Sequence, residues 1–288
     1  MPSLIDIRRR IRSVKNTQQI TKAMKMVSAA KLRRAQDRVV AARPYAALLR
    51  QMLADVAAAA AAEAEEQAGE NPLLAQRPAE RILLVLITGD KGLAGAFNTN
   101  LIKEAQRFFA ERGAASVTLE LIGRKGRDFF RRRGAGISGE HIGLAAKVVY
   151  AETAAIARKA IEMFRNGETD AVYLLYNEFK SVVSQKLTME RVLPLEMPEQ
   201  STPLDFILEQ PVAEILNELL PKCVEMEFYR ALLESAAAEH AARMTAMEAA
   251  TSNAADMIDR LTLYMNRVRQ ASITKEIIEV VSGAAAAE

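Results

Sequence analysis

The apolar and polar positions of the chain form two long helical patterns that flank a stretch of alternating strands and helices. Between Pro2 and Pro44 neither proline nor glycine occurs and helix-forming residues dominate. Apolar side chains recur at Leu4, Ile7, Ile11 and Val14, then at Ile20, Met24 and Val27. That spacing predicts a helix of about 60 Å at about 1.5 Å per residue. Polar Asn16, Thr17, Gln18 and Gln19 separate the two runs, so the seam is expected to shift as at a stutter and to pack more loosely there. Pro44 can kink the helix. Residues 45–66 then read helical again through an alanine run at 57–62, and a linker over 69–78 ends the pattern.

The other end of the chain is more regular. No proline or glycine occurs over 222–282. Steps of three and four residues land on Met226, Tyr229, Leu233, Ala236, His240, Arg243, Met247, Ala250, Ala254, Met257, Leu261, Tyr264, Val268 and Ala271, a sustained coiled-coil seam. A single amphipathic helix lying on a globular core would rarely hold a heptad phase so long. Many seam residues are alanine, which lets helices approach closely but buries less apolar area than leucine. The coil is therefore expected to depend on its surroundings for part of its stability.

Between the helical ends, residues 81–88, 116–122 and 170–177 read as strands, with helical patterns at 98–112 and 144–166 and a further extended stretch at 181–195. Alternation of this kind predicts an α/β sheet domain. The expected architecture is α/β: a long antiparallel two-helix coiled coil from the N- and C-terminal helices, plus a central Rossmann-like sheet domain. The expected boundaries are 1–68 and 209–288 for the two shaft helices and 69–208 for the sheet domain with its linkers. If both helices leave that domain at one level, the C-terminal one overshoots by roughly 20 Å at about 1.5 Å per residue. The overshoot carries Ile273, Ile277, Ile278, Val280 and Val281 beyond any helical partner, and the small residues at 283–287 suit a tight sleeve.

Composition narrows the function. The longest aliphatic run, at 82–87, is far shorter than the roughly 20 residues of a membrane helix, so no direct membrane insertion is expected. The Arg-rich start is read as part of the mature fold rather than as a transit peptide. The single cysteine, Cys223, cannot form an internal disulfide or a CxxC pair. The net charge of +3 conceals an asymmetry, because over residues 2–43 the only acids are Asp6 and Asp37. That segment should meet an acidic partner, and nucleic acid, anionic lipid and an acidic protein surface all qualify.

No catalytic constellation emerges. After the first strand, Gly89, Gly92 and Gly95 form a strand-to-helix turn where a phosphate could meet a helix N-terminus. The spacing matches neither G-x-G-x-x-G nor a P-loop, and Lys91 lies outside a G-K-[ST] context. Tight turning and strand–helix packing account for these glycines better than nucleotide binding does. His141 and His240 belong to neither an HExxH motif nor a Cys/His cluster, and no G-x-S-x-G nucleophile elbow exists. No cofactor and no metal are expected.

Three segments carry a resemblance. They are IRRRIRSVKNTQQITKAMKMVSAAK (7–31), the glycine-rich turn at 89–98, and EHAARMTAMEAATSN (239–253) running on to NRVRQASITKE (266–276) and VSGA (281–284). Together these segments resemble the gamma subunit family of rotary ATP synthases, and the likeness covers both ends of the chain and the domain between. The resemblance implies a non-catalytic shaft inside a hexamer of alternating alpha and beta subunits, with the epsilon subunit and the membrane-embedded c-ring as further partners. It also implies a peripheral location on the cytoplasmic face of a bacterial plasma membrane.

By the same resemblance, Met24 with Lys22 and Lys25 lies near an acidic lever of the beta subunit. Arg243, Arg269, Gln270 and Thr274 contact the surrounding ring. Ile277, Ile278, Val280 and Val281 sit in a bearing, and residues 202–208 lie near the membrane ring. The middle-domain cysteine pair of the plant chloroplast form is absent. Two other readings remain open. One is a nucleic-acid-binding coiled coil using the basic helix, against which Arg8, Arg9 and Arg10 point in directions about 100° apart. The other is a nucleotide-binding α/β enzyme with helical oligomerisation arms.

Overall fold

The computed structural model of the chain describes residues 3–62, 71–113, 116–196 and 210–285. It divides into two compact units, one made of Met1–Ser28 with Met244–Glu288 and the other of Ala29–Arg243. Both long helices, α1 (Leu4–Ala62) and α5 (Val212–Ala285), run through both units. The division therefore assigns the inner part of each helix to the unit that holds the sheet, because residues such as Leu32, Val39, Leu49 and Leu53 of α1 and Leu220, Phe228 and Leu232 of α5 are buried. The linker expected around Gly69 falls partly outside the described residues, and the segment at 202–208 falls wholly outside them.

Within the sheet unit, β1 (Ile82–Ile87), α2 (Phe97–Arg112), β2 (Val117–Ile122), α3 (Arg124–Arg131), β3 (Ile137–His141), α4 (Tyr150–Arg165), β4 (Ala171–Phe179) and β5 (Gln185–Leu193) follow one another. The sheet order is β3-β2-β1-β4-β5. The first four strands are parallel and β5 is antiparallel to β4. All six residues of β1 are buried, which is why ILLVLI shows no alternation: a central parallel strand is covered on both faces. Ile82, Leu84 and Leu86 join Leu101 and Phe108 of α2 and Phe130 of α3 in one core, while Leu83, Val85 and Ile87 are equally buried. Helix α3 and strand β3 were not anticipated. Gly126 breaks the helical composition of the first, and the edge strand ISGEH is only partly buried.

Two prolines lie inside helices. Pro44 is exposed in α1, as is Val40 one turn earlier, so water can reach the carbonyl that proline leaves without a donor. Pro221 lies inside α5, which therefore begins well before the proline-free stretch. Helix α4 begins at Tyr150 rather than near residue 144, because residues 143–149 form a turn in which the N–H groups of Ala146 and Lys147 donate to the Gly143 carbonyl at 3.1 and 3.3 Å. Gly143 has φ +89° there, the left-handed region.

The coil unit pairs the outer parts of α1 and α5 antiparallel. Lys25 Nζ donates to Glu248 Oε1 at 2.6 Å, and Thr251 Oγ1 donates to Thr21 Oγ1 at 2.8 Å and to Met247 O at 2.7 Å. These pairs correct both expected seams. Along α1 no stutter occurs, since the buried and half-buried positions continue from Leu4, Ile7, Ile11 and Val14 through Gln18, Thr21, Lys25 and Ser28 in strict heptad steps. Ile20 and Val27 point outward, 60% and 56% exposed. On α5 the alternation beyond Ala254 runs through Ile258, Leu261, Met265 and Val268, leaving Met257 and Tyr264 exposed. Hydrophobicity alone does not mark the seam, because the seam uses polar Gln18, Thr21 and Ser28 and the outer face carries apolar side chains.

Candidate functional site

The strand-to-helix turn after β1 is held from several sides. Gly89 N donates to Asn98 Oδ1 at 2.9 Å, and Arg124 N and Gly143 N donate to the two oxygens of Asp90 at 3.0 and 3.1 Å. Thr88 Oγ1 donates to Ile122 O and accepts from Gly126 N. A Cβ on Gly123 would lie 2.0 Å from the Thr88 carbonyl oxygen, and one on Gly89 would lie 2.8 Å from the Glu239 carboxyl. Gly89 serves close packing against α5, and Gly123 serves the close approach of the turn after β2 to the end of β1.

Arg243 fits this joint from the α5 side. It is 8% exposed, ion-paired with Glu239 one turn earlier, and its Nε donates to Gly92 O at 3.3 Å. Burial holds the Glu239 carboxyl above its ordinary pKa against the opposing pull of Arg243. The guanidinium expected to reach a surrounding ring is thus engaged within the sheet unit. Its acidic partner was legible only as an i,i+4 Glu–Arg pair on a helix.

Other buried charges of this unit are also partnered. Glu120, 1% exposed on β2, accepts from His141 Nε2 at 2.6 Å and Lys159 Nζ at 2.8 Å. Burial acts to raise its pKa, but these two donors hold it below the ordinary carboxylate value. Glu225 on α5 takes the Tyr150 hydroxyl at 2.8 Å and Arg158 Nε at 2.7 Å. Burial pushes the Cys223 thiol up to about 11, which makes it a poor nucleophile. Among the described residues no group of histidine, cysteine and carboxylate side chains could hold a metal.

In the coil unit, Met24 is half-buried, Lys22 is exposed, and Lys25 is drawn across to Glu248. Farther along α5, Arg269, Gln270 and Thr274 are all exposed, and Thr274 Oγ1 donates back to Gln270 O at 2.9 Å. Gln270 and Thr274 share a face at i,i+4, while Arg269 projects about 100° away. Carrying the Thr21–Thr251 register outward puts Ile7 level with Met265 and Leu4 level with Val268. Residues of α5 past about 270 therefore have no α1 residue opposite them among the described residues. Ile273, Ile277, Ile278, Val280 and Val281 are 49%, 57%, 60%, 72% and 62% exposed. The side chains at 283–287 lie outside what is described. No described helix is long and apolar enough to cross a membrane.

An ATP synthase family model matches residues 3–287. The chain is 77% identical to the "ATP synthase gamma chain" of Solibacter usitatus (strain Ellin6076) over 288 residues, the whole of both chains. It is 50% identical to that of Pelotomaculum thermopropionicum over 291 residues, again covering all of both. Among solved structures it is similar to a chain of the Tetrahymena thermophila mitochondrial ATP synthase central stalk and c-ring, with a TM-score of 0.62 and 28% identity over 80% of this chain and 99% of that one. A chain of the Euglena gracilis mitochondrial enzyme shares the fold, with a TM-score of 0.68 at 19% identity over 98% of this chain and 94% of the other.

Proposed function

This chain belongs to the ATP synthase gamma chain family, and from that premise we infer that its coil unit is the part that turns rotation into conformational change. The chain is the rotor shaft of an ATP synthase. The catalytic residues lie on the beta subunits of a ring of alternating alpha and beta subunits, this chain carries none, and the foot engages the epsilon subunit and the membrane c-ring. The complex sits on the cytoplasmic face of a bacterial plasma membrane, and proton flow through the ring drives the shaft.

The observation that carries the reading is the asymmetry of the coil. Two helices lack threefold symmetry, so at any angle three equivalent partners meet different surfaces. Differential contact is what shifts an equilibrium between conformations. The surfaces differ in charge as well. The α1 side presents Arg8, Arg9, Arg10, Arg12, Lys15 and Lys22, whereas α5 mixes Glu248, Asp256 and Asp259 with Arg260, Arg267 and Arg269. A basic face of this kind suits acidic levers on the ring. Met24 and Lys22 are assigned to that contact, and Arg269, Gln270 and Thr274 to polar contacts nearer the tip.

The test uses Lys22→Glu, because Lys22 is exposed and has no ion pair among the described residues, whereas reversing Lys25 would also set two carboxylates together across the coil. In membrane vesicles holding equal amounts of assembled complex, Lys22→Glu should lower the protons pumped per ATP hydrolysed. Unchanged pumping per ATP would remove the electrostatic role. The purified chain alone should show no ATP hydrolysis, and turnover by it would overturn the non-catalytic assignment.

A further inference from the structure

The sheet unit carries a small cationic groove that the shaft function does not use. Lys31, Arg34 and Arg38 line it from α1, Lys147 from the turn before α4, and His240 from α5. Its floor is apolar, formed by small side chains together with Val148 and Leu233. No carboxylate lines it. The acids nearest in sequence are otherwise disposed, since Asp37 is exposed outside the lining, Glu234 accepts from Phe179 N at 3.1 Å and Glu239 is ion-paired with Arg243.

Several cations of the unit are neutralised by a neighbouring carboxylate. Arg81, Arg158, Arg230 and Lys159 each have a carboxylate within 2.8 Å. Lys31, Arg34, Arg38 and Lys147 have no ion-pair partner among the described residues. Four cationic residues around an apolar floor, with no carboxylate in the lining, suit an anion.

His240 fits the same picture. Arg243 Nη1 lies 3.4 Å from its Nδ1, and a guanidinium can only donate, so Nδ1 accepts and Nε2 keeps the ring proton as a donor. Burial first, then the charges of Arg243 and Lys31, hold the imidazole neutral, with its pKa pushed down to about 4.

Size selects among anions. The groove offers about 170 Å³, room for a phosphate or diphosphate group on its floor. We propose that this groove binds a phosphate or diphosphate group, either free or carried as the tail of a nucleotide. The guanidinium groups of Arg34 and Arg38 would grip its oxygens in the bidentate manner they favour, and Lys31 and Lys147 would act as point charges. This site is independent of the coupling role of the coil, so its failure would leave that role untouched.

The test is calorimetric titration of the full chain with sodium diphosphate, orthophosphate, ATP and adenosine at fixed moderate salt. Saturable 1:1 binding of diphosphate is expected, weakened at least tenfold by Arg34→Ser combined with Lys147→Ser. It should be unchanged by Lys103→Ser, which removes an exposed lysine of α2 outside the groove. Lys147→Gln, on an exposed turn, supplies a milder variant should the double one fold poorly, and it should weaken binding several-fold. Equal affinity for diphosphate and ATP with none for adenosine identifies the free phosphate group as sufficient. A tenfold preference for ATP identifies a nucleotide. Absence of saturable binding, equal weakening by Lys103→Ser, or displacement of diphosphate by a tighter-binding poly-glutamate peptide would each overturn the proposal, the last by making the groove a protein-docking surface.

Discussion

The two units of this chain solve opposite problems. In the sheet unit, β1 is buried along its whole length, and Glu120, Glu225, Asp170 and Glu239 each have a cationic partner. In the coil unit, the seam includes Gln18, Thr21 and Ser28, while Ile20, Met26, Val27, Met257 and Leu263 face outward at 52% exposure or more. Polar seam residues fix register at some cost in stability, as the Thr21–Thr251 pair does here. Apolar residues on the outside stabilise nothing until another surface covers them. The sheet unit thus carries its own stability, and the coil unit is built to be completed by its surroundings.

The sharpest break in that comparison comes from truncating one apolar side chain in each unit. Leu84 is fully buried at the centre of the sheet, and Leu84→Ala should destabilise the isolated chain by about 2–5 kcal/mol. Ile20→Ala removes a residue that is 60% exposed and should change stability by less than about 0.5 kcal/mol. Denaturant unfolding of both variants reads the contrast. A comparable loss for Ile20→Ala would show that the outer face of the coil already packs on something within the chain.

Gly89→Ala should have the next largest effect. The new Cβ would lie 2.8 Å from the Glu239 carboxyl, and that carboxyl cannot swing aside without leaving Arg243 in a buried site. Overpacking of this kind costs about 1–3 kcal/mol. Because the clash lies in the joint between the sheet and α5, hydrogen exchange should quicken around residues 236–243 before it does in β1. Wild-type exchange there would mean that the turn yields more easily than its hydrogen bonds imply.

Much of this was legible in the sequence, for physical reasons that differ by region. The central strands read correctly because ILLVLI and AVYLLY are too apolar to be anything but buried, and the absence of glycine and proline over 222–282 left no place for α5 to end. The edge strand β3 did not read, since ISGEH lies at the border of the sheet and lacks both alternation and apolar mass. The coil seam misread for a subtler reason. Ile20 and Val27 are more apolar than Thr21 and Ser28, yet the heptad set by Leu4, Ile7, Ile11 and Val14 runs through the polar pair. Period should have outranked hydrophobicity there. Within this chain Arg243 contacts Glu239 and the glycine-rich turn; the first is visible in sequence only as an i,i+4 spacing, and the second only three-dimensional proximity reveals.

A smaller, pH-dependent effect separates the units further. His240 has a folded-state pKa of about 4 against an ordinary 6.5, so between those values the unfolded chain binds the proton that the folded chain refuses. Its contribution is fully present above pH 6.5 and is lost as pH falls toward 4. Glu239, raised by burial, acts with the opposite sign, so the informative quantity is the difference between wild type and His240→Gln. That variant should flatten the slope of stability against pH between 6.5 and 4. Identical slopes would mean that His240 titrates normally and is wetter than its packing indicates.

The smallest effect on the isolated chain should come from the tip. The register set by Thr21 and Thr251 exhausts α1 near residue 270 of α5, and the apolar side chains beyond it, from Ile273 to Val281, are about half exposed or more. Removing residues that bury little within the chain costs it little burial energy. Truncation after Ser272 should therefore leave the unfolding transition of the isolated chain within about 0.5 kcal/mol of wild type. In the assembled complex the same truncation should weaken retention of the shaft and slow ATP turnover, because five apolar residues on an otherwise unpartnered helix imply a surface that covers them. Removing only the residues after Ser282 spares all five and should leave assembly intact. The decisive measurement is solvent protection in the isolated chain. If Ile273, Ile277, Ile278, Val280 and Val281 prove protected there by hydrogen exchange or surface labelling, the tip packs on its own chain and the inference of a covering partner loses its basis.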